Sequence, residues 1–287
     1  MTISIASSAV QIDLNISVWT ARKLDKKVSK EIDVTKGTTT QAGNYNKHLL
    51  AGTKQIKDIT SLASEIRNWN AKQTLPWSDS GTRLLPMRNF FDYKTQLSEY
   101  ECKFEEMVDE FIKDYPRLVS LMAFSLGDLF KRDDYPPVWA VKEKFSISHT
   151  IIPVPEAGDF RVDTELAVRE ELESQYEEAY KNKVESAVGH CWSKLHTTVE
   201  EMVSKLSDPR WEEEEAKNPQ VYDSFLGNPL ELTGLLSSLN ITNDPDLEQA
   251  RVKLEQALCG LTPNMVRKQP HVREKLMSEV KALQGLI

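Results

Sequence analysis

Trp19, Tyr45, Trp69 and Trp77 stand among Arg22, Lys23, Lys26, Lys27, Lys30, Lys47, Lys54, Lys57, Lys72, Arg83 and Arg88, interleaving flat rings with cations. Cations that follow a phosphate backbone, and rings on which any base can stack, are what nonspecific binding of a single nucleic-acid strand requires. A stacked base is worth about 1–3 kcal/mol, so two exposed tryptophans would count as much as several phosphate contacts. Charge is segregated in the same sense. Residues 1–100 carry 14 Lys/Arg against 9 Asp/Glu, a net +5, whereas residues 101–287 carry 22 against 35, a net −13. The whole-chain charge of −8 therefore hides a basic end.

Other chemistries find little support in residue spacing. His190-Cys191 with His196 is the only metal-like grouping, but adjacent residues point to different sides of a helix and the spacing matches no common zinc motif. Gly52-Thr53-Lys54 and Gly37-Thr38-Thr39 each lack the rest of a phosphate-binding loop, and no nucleophile elbow, HExxH pair or kinase signature occurs. The five histidines are scattered, and His149 alternates with an apolar face, as a satisfied core residue would. Cys102, Cys191 and Cys259 are odd in number and far apart, each in an apolar helical pattern, so buried thiols are expected rather than disulfides. The expectation is a protein without catalysis, cofactor or metal.

The elements that must hold the basic and aromatic residues read as mostly helical. Val10, Ile12, Leu14, Ile16 and Val18 alternate with Gln11, Asp13, Asn15 and Ser17, the period of a half-buried strand that Trp19 closes. Beyond it Arg22, Lys26 and Lys30, with Lys23 and Lys27, recur at i, i+4 and would align along one side of a helical turn. Leu49, Ile56, Ile59, Ala63 and Ile66 predict an amphipathic helix over 46–70, with Lys47, Lys54 and Lys57 off the stripe and Trp69 beside its end. Two prolines and a glycine predict that 74–88 is a loop exposing Trp77, Arg83 and Arg88. Phe90, Tyr93, Leu97, Tyr100, Phe104, Met107 and Phe111 then form a helical seam that packs on the 46–70 helix or on a partner. Phe90 and Phe91, at its start, are candidates for base stacking.

Helical signal continues through 118–130 to Tyr135-Pro136-Pro137. Residues 145–162 read as a β-hairpin that pairs with the 10–19 strand, bringing Trp19 and the Arg22–Lys30 cluster onto one small sheet. The longest helix spans 163–206 with Asp163 as N-cap, and Glu212–Glu215 reads as a solvated linker. Asp244-Pro245 and Thr262-Pro263 are cap and first-turn pairs, and Leu276, Val280 and Leu283 give the last helix a docking side. The fold class is thus α+β and mostly helical, with long helices and a small antiparallel sheet built from the N-terminal strand and the central hairpin. It is not an OB fold, whose five regular short strands are missing. Residues 1–210 read as a helical body with the basic-aromatic surface, and 220–287 as a C-terminal helical subdomain or oligomerisation arm. The chain opens without a positive n-region and nowhere runs 18 uncharged apolar residues together, which reads as a soluble intracellular protein with no membrane partner.

The segment Ile12-Asp-Leu-Asn-Ile-Ser-Val-Trp-Thr-Ala-Arg-Lys-Leu24 is followed by a helical body, Tyr135-Pro136-Pro137 with a hairpin, and a long glutamate-rich helix. In this it resembles a family of phage-encoded single-stranded-DNA-binding RNA polymerase cofactors, from podophages that carry a giant virion RNA polymerase. The order of elements agrees over most of the chain, while the motif itself is short. The resemblance implies a single-stranded-DNA-binding protein, unlike the OB barrel in fold, that recruits a phage RNA polymerase to locally melted promoters in the cytoplasm of the infected bacterial host. Only Trp19, Arg22 and Lys23 carry over by position, and no contact role comes with them. The leading expectation is a transcription cofactor that binds single-stranded DNA and phage RNA polymerase and forms a homo-oligomer. Its rivals are a non-catalytic helical scaffold whose basic patch is only solvated surface, and an enzyme with a pocket of perturbed titratable groups.

Overall fold

The computed structural model describes residues 5–155, 166–211 and 221–285. The chain is mostly helical, with small antiparallel sheets, and no closed barrel forms among these residues. The alternating N-terminal segment is strand β1 (Ala9–Ser17), with Ala9 and Ile12 buried and its outward residues partly solvated. Short strands at Leu75–Pro76 (β4) and Arg83–Pro86 (β5), and a longer one at Ser146–Pro153 (β6), complete a four-stranded sheet in the order β4-β5-β1-β6. Ala9 lies opposite Pro86 and Ile12 opposite Arg83. The central strand therefore does join the N-terminal one. The expected return strand at 160–162, the Asp163 cap and the 212–215 run lie outside the described residues.

Two expectations about the strands need correction. Residues 74–88 are not simply a loop: Pro76 and Pro86 end their strands, where a missing N–H is tolerated, while Leu75, Leu84 and Leu85 are fully buried between them. The Arg22–Lys30 cluster is not on the β1 sheet either. Arg22–Leu24 (β2) pairs with Asn46–His48 (β3) in a separate two-stranded sheet, Lys23 opposite Lys47.

The helices are α1 (Lys26–Lys36), α2 (Lys54–Gln73), α3 (Phe90–Ser125), α4 (Val138–Lys142), α5 (Leu166–Leu206), α6 (Ser224–Leu239), α7 (Pro245–Leu258), α8 (Pro263–Lys268) and α9 (Pro270–Gln284). α2 starts later than its apolar stripe suggested because 46–48 is β3 and Gly52, at φ +78°, turns the chain through the left-handed region. α3 runs unbroken through Pro116, where burial of Phe111, Tyr115, Leu118 and Val119 offsets the roughly 3 kcal/mol cost of an internal proline. Asp244 caps α7 through the N–H groups of Asp246 and Leu247, and Thr262 caps α8 through that of Met265, as the Asx-Pro and Thr-Pro pairs predict.

The chain divides into two compact units. One comprises Met1–Asp13, Asn70–Tyr93 and Thr150–Ile287, the other Leu14–Trp69 and Lys94–His149. In the first, α5 supplies Ala187, Cys191, Leu195 and Val199 to a core shared with α6, α7 and α9, including Leu276, Val280 and Leu283. In the second, Ile59, Ala63 and Ile66 of α2 pack with Phe104, Val108 and Phe111 of α3, so the aromatic seam meets the helix predicted for it. All three cysteines are free, but only Cys191 is buried, its thiol pushed up to about 11 by burial. Cys102 and Cys259 are exposed, on the outer side of α3 and just past α7, where the apolar periodicity does not bring them inward.

Candidate nucleic-acid interface

β2 and α1 carry the basic surface. The carboxylate of Asp25 accepts from the N–H of Lys27 at 3.1 Å and of Val28 at 3.3 Å, satisfying donors that a first helical turn leaves orphaned. Gly37, at φ +66°, closes the other end by donating back to the carbonyls of Asp33 and Val34. Between the caps, Lys26 and Lys30 share one side of the helix, and Lys26, Lys27, Lys30 and Lys36 are all exposed, as are Arg22 and Lys23 of β2. Lys27 faces Glu31 at 3.8 Å, a solvated pair that holds neither side chain firmly.

Tyr45 is fixed beside this helix by its backbone, donating to the Ser29 hydroxyl at 3.0 Å and accepting from the Asp25 N–H at 2.9 Å. Its half-buried ring, with Ile32 and Lys36, lines a cavity of about 290 Å³ between α1 and the 38–45 segment. An aromatic residue and a cationic one thus line one concavity, together with Asp33.

Lys47 does not belong to that exposed face. Its side chain is 3% exposed, and its ammonium meets the Leu129 carbonyl at 2.9 Å, Asp25 at 3.3 Å and Asp134. Asp134 in turn pairs with Lys23 at 2.7 Å. Five segments are clamped by this cluster: β2, β3, the start of α1 and the turns at 127–129 and 132–134. The Val28 N–H, helped by Lys47, holds the Asp25 carboxyl below its ordinary range. Burial pushes Asp134 up, but hydrogen bonds from Lys23 and Lys47 outweigh it and leave the carboxyl lowered as well. Carboxyls depressed in the fold stabilise it above their unfolded pKa, about 4, and that contribution is lost as pH falls through the lower folded values. The unit is therefore expected to loosen below about pH 4. Acid titration followed by tryptophan fluorescence reads this, since Trp19 lies in the same core.

The aromatic half of the sequence reading changes most. Trp19 is 9% exposed and packs edge-on against Tyr115 at 5.9 Å; Trp77, expected on an open loop, is likewise 9% exposed against Tyr180 at 5.8 Å. Both are core residues because indole fills an apolar interior as readily as it stacks on a base. Trp69 is half-buried against Tyr100, ring centroids 5.2 Å apart. Lys54 and Lys57 are exposed on α2. Lys72, Trp77, Arg83 and Arg88 fall in the other unit. There Lys72 pairs with Glu231 at 3.0 Å, Arg83 donates to Thr74 and the Ala71 carbonyl, and Arg88 donates to the Ser237 carbonyl and Asn243.

Residues that periodicity did not single out join the basic surface. Lys36 extends α1, and Lys131, exposed on the turn that carries Asp134, lies close enough to lower the Asp25 carboxyl. Elsewhere in the unit that holds α1, Trp139 of α4 is 67% exposed, far more open than Trp19, Trp69 or Trp77. His149 has hydrogen-bond partners, as expected, but is half-buried rather than core: a ring protonated at Nδ1 donates to Glu101 at 2.8 Å and accepts from Lys94 at 2.9 Å. Among the described residues no helix is long and apolar enough to cross a membrane. No protein-family model, curated protein or solved structure matches the chain.

Proposed function

We propose that the chain binds single-stranded DNA, without catalysis, through the exposed cations of β2 and α1 around Tyr45. The observation that carries this reading is that Arg22, Lys23, Lys26, Lys27, Lys30 and Lys36 come from one contiguous strand and helix, capped at both ends, beside a half-buried ring. Such a surface attracts a phosphate backbone and releases its counterions, while the net −13 of residues 101–287 disfavours the closer charge spacing of a duplex. Together with the resemblance of the Ile12–Leu24 segment, this supports a phage transcription cofactor that recruits RNA polymerase to melted promoters in the infected host cytoplasm, acting as an assembly of several copies.

The test is fluorescence anisotropy of labelled single-stranded and duplex oligonucleotides of equal length across a salt series. Tight binding that prefers the single strand and weakens steeply with salt is expected. Replacing Lys26, Lys27 and Lys30 together by glutamine should reduce the slope of log K against log salt by about 2, at roughly 0.7 per phosphate contact on a single strand. Binding that is absent even at low salt, or a slope the triple variant does not move, rejects this surface as the site. The chain would then be read as a helical scaffold, with light scattering to measure its assembly.

A further inference from the structure

In the unit that lacks α1, half-buried cations gather on a different wall. His190, Ser193, Lys194, Thr197 and Thr198 recur at steps of three and four and so lie along one side of α5. With Lys72 of α2 and Glu231 of α6 they line a cavity of about 410 Å³, within the range of small-ligand sites. The Lys72 charge is answered by Glu231, but that of Lys194 is not: among the described residues no carboxylate or other acceptor meets its ammonium. Arg83, half-buried, gives its N–H groups to Thr74 and to the carbonyls of Ala71 and Thr74, neutral partners that leave its charge standing.

Burial, with Arg83 and Lys72 nearby, holds Lys194 below the usual lysine range, and burial with Lys194 and Arg83 lowers His190. An ammonium kept partly out of water without a counter-ion is a standing cost that an entering anion removes. The three hydroxyls of Ser193, Thr197 and Thr198 add donors in a cluster, which suits an anion with several accepting oxygens.

We propose that this cavity is a phosphate site, filled by a phosphate group carried on a small molecule or on a nucleotide chain. The site does not rest on the α1 reading, and the two fail separately. Calorimetric titration of the full chain with inorganic phosphate, thymidine 5′-monophosphate and an unphosphorylated thymidine oligonucleotide distinguishes the sources. Lys194→Gln is expected to weaken the binding of at least one probe by about tenfold or more, as loss of a charge-assisted hydrogen bond does, and Thr197→Val to weaken it less. The Lys26, Lys27 and Lys30 variant should leave mononucleotide binding intact. Sensitivity to Lys194→Gln with phosphate or the mononucleotide identifies a small-molecule site; sensitivity with the oligonucleotide alone identifies a backbone-phosphate site. Bound phosphate should also raise the His190 titration midpoint in proton NMR. A circular-dichroism-intact Lys194→Gln variant that binds all three probes as the parent does, or a parent that binds none, overturns the proposal.

Discussion

Replacing Lys47 by methionine is expected to destabilise the unit of β2, α1 and β3 by about 3–5 kcal/mol, because it removes the buried ammonium that two carboxylates share, leaving Asp25 only its helix-cap N–H groups and Asp134 only Lys23. The loss comes from desolvated charge left with weaker compensation rather than from missing volume, since methionine nearly fills the lysine stem. Adding Asp25→Asn and Asp134→Leu should restore much of the stability: asparagine keeps the helix cap and leucine removes the second under-compensated charge. Urea unfolding followed by far-ultraviolet circular dichroism measures all three proteins, and a loss under about 1 kcal/mol in the single variant would show the clamp to be idle. The same substitution bears on DNA binding. A loosened α1 lowers affinity without removing a phosphate contact, so the salt slope, scaled to the folded fraction, should stay where it was.

Trp77→Ala should cost about 3–5 kcal/mol in the other unit, the usual penalty for emptying a buried aromatic site. Its indole lies edge-on to Tyr180 in the core that holds Ala9, Leu75 and Leu84, and the Lys183 ammonium sits 5.5 Å from the ring centroid. Trp77→Phe, which keeps an apolar ring, should cost much less. Were Trp77 a stacking platform instead, alanine would weaken DNA binding and leave the melting temperature alone. Differential scanning calorimetry beside the anisotropy titration separates the outcomes, with the core role predicting a fall of several degrees and an unchanged salt slope.

These two residues show where sequence was legible and where it was not. Local period was reliable: the Val10–Val18 alternation, the Phe90–Phe111 seam, the Asp244 and Thr262 caps and the docking side of α9 all appear as the spacing demands. What failed is set by contacts between distant segments. No local signal distinguishes Lys47 from Lys54, yet one reaches the carbonyl of Leu129, 82 positions away, and the other faces water. Trp77 is buried by a tyrosine more than a hundred positions later, and the 74–88 prolines that argued for a loop fall at strand ends only because β1 is there to pair with. The cation wall of α5 was hidden for the same reason: His190 and Lys194 matter only once Arg83 is near enough to shift them.

The amide of Ile5 donates to the Tyr180 hydroxyl at 3.2 Å, across 175 positions of chain. Every residue of the unit built on α2 and α3 has been made by His149, whereas the other needs segments from both sides of it. A ribosome adding roughly 5–20 residues per second takes roughly 9–35 s to travel from Ile5 to its partner. Once His149 is added, shortly before Tyr180, the ion-paired unit has all its parts, while Ile5 and Ala9, buried in the finished protein, stay wet until α5 emerges. Synthesis order thus makes the clamp around Lys47 an early structure and the core around Trp77 a late one, so nascent chains cut short beyond His149 would carry a closed unit tethered to apolar segments awaiting cover.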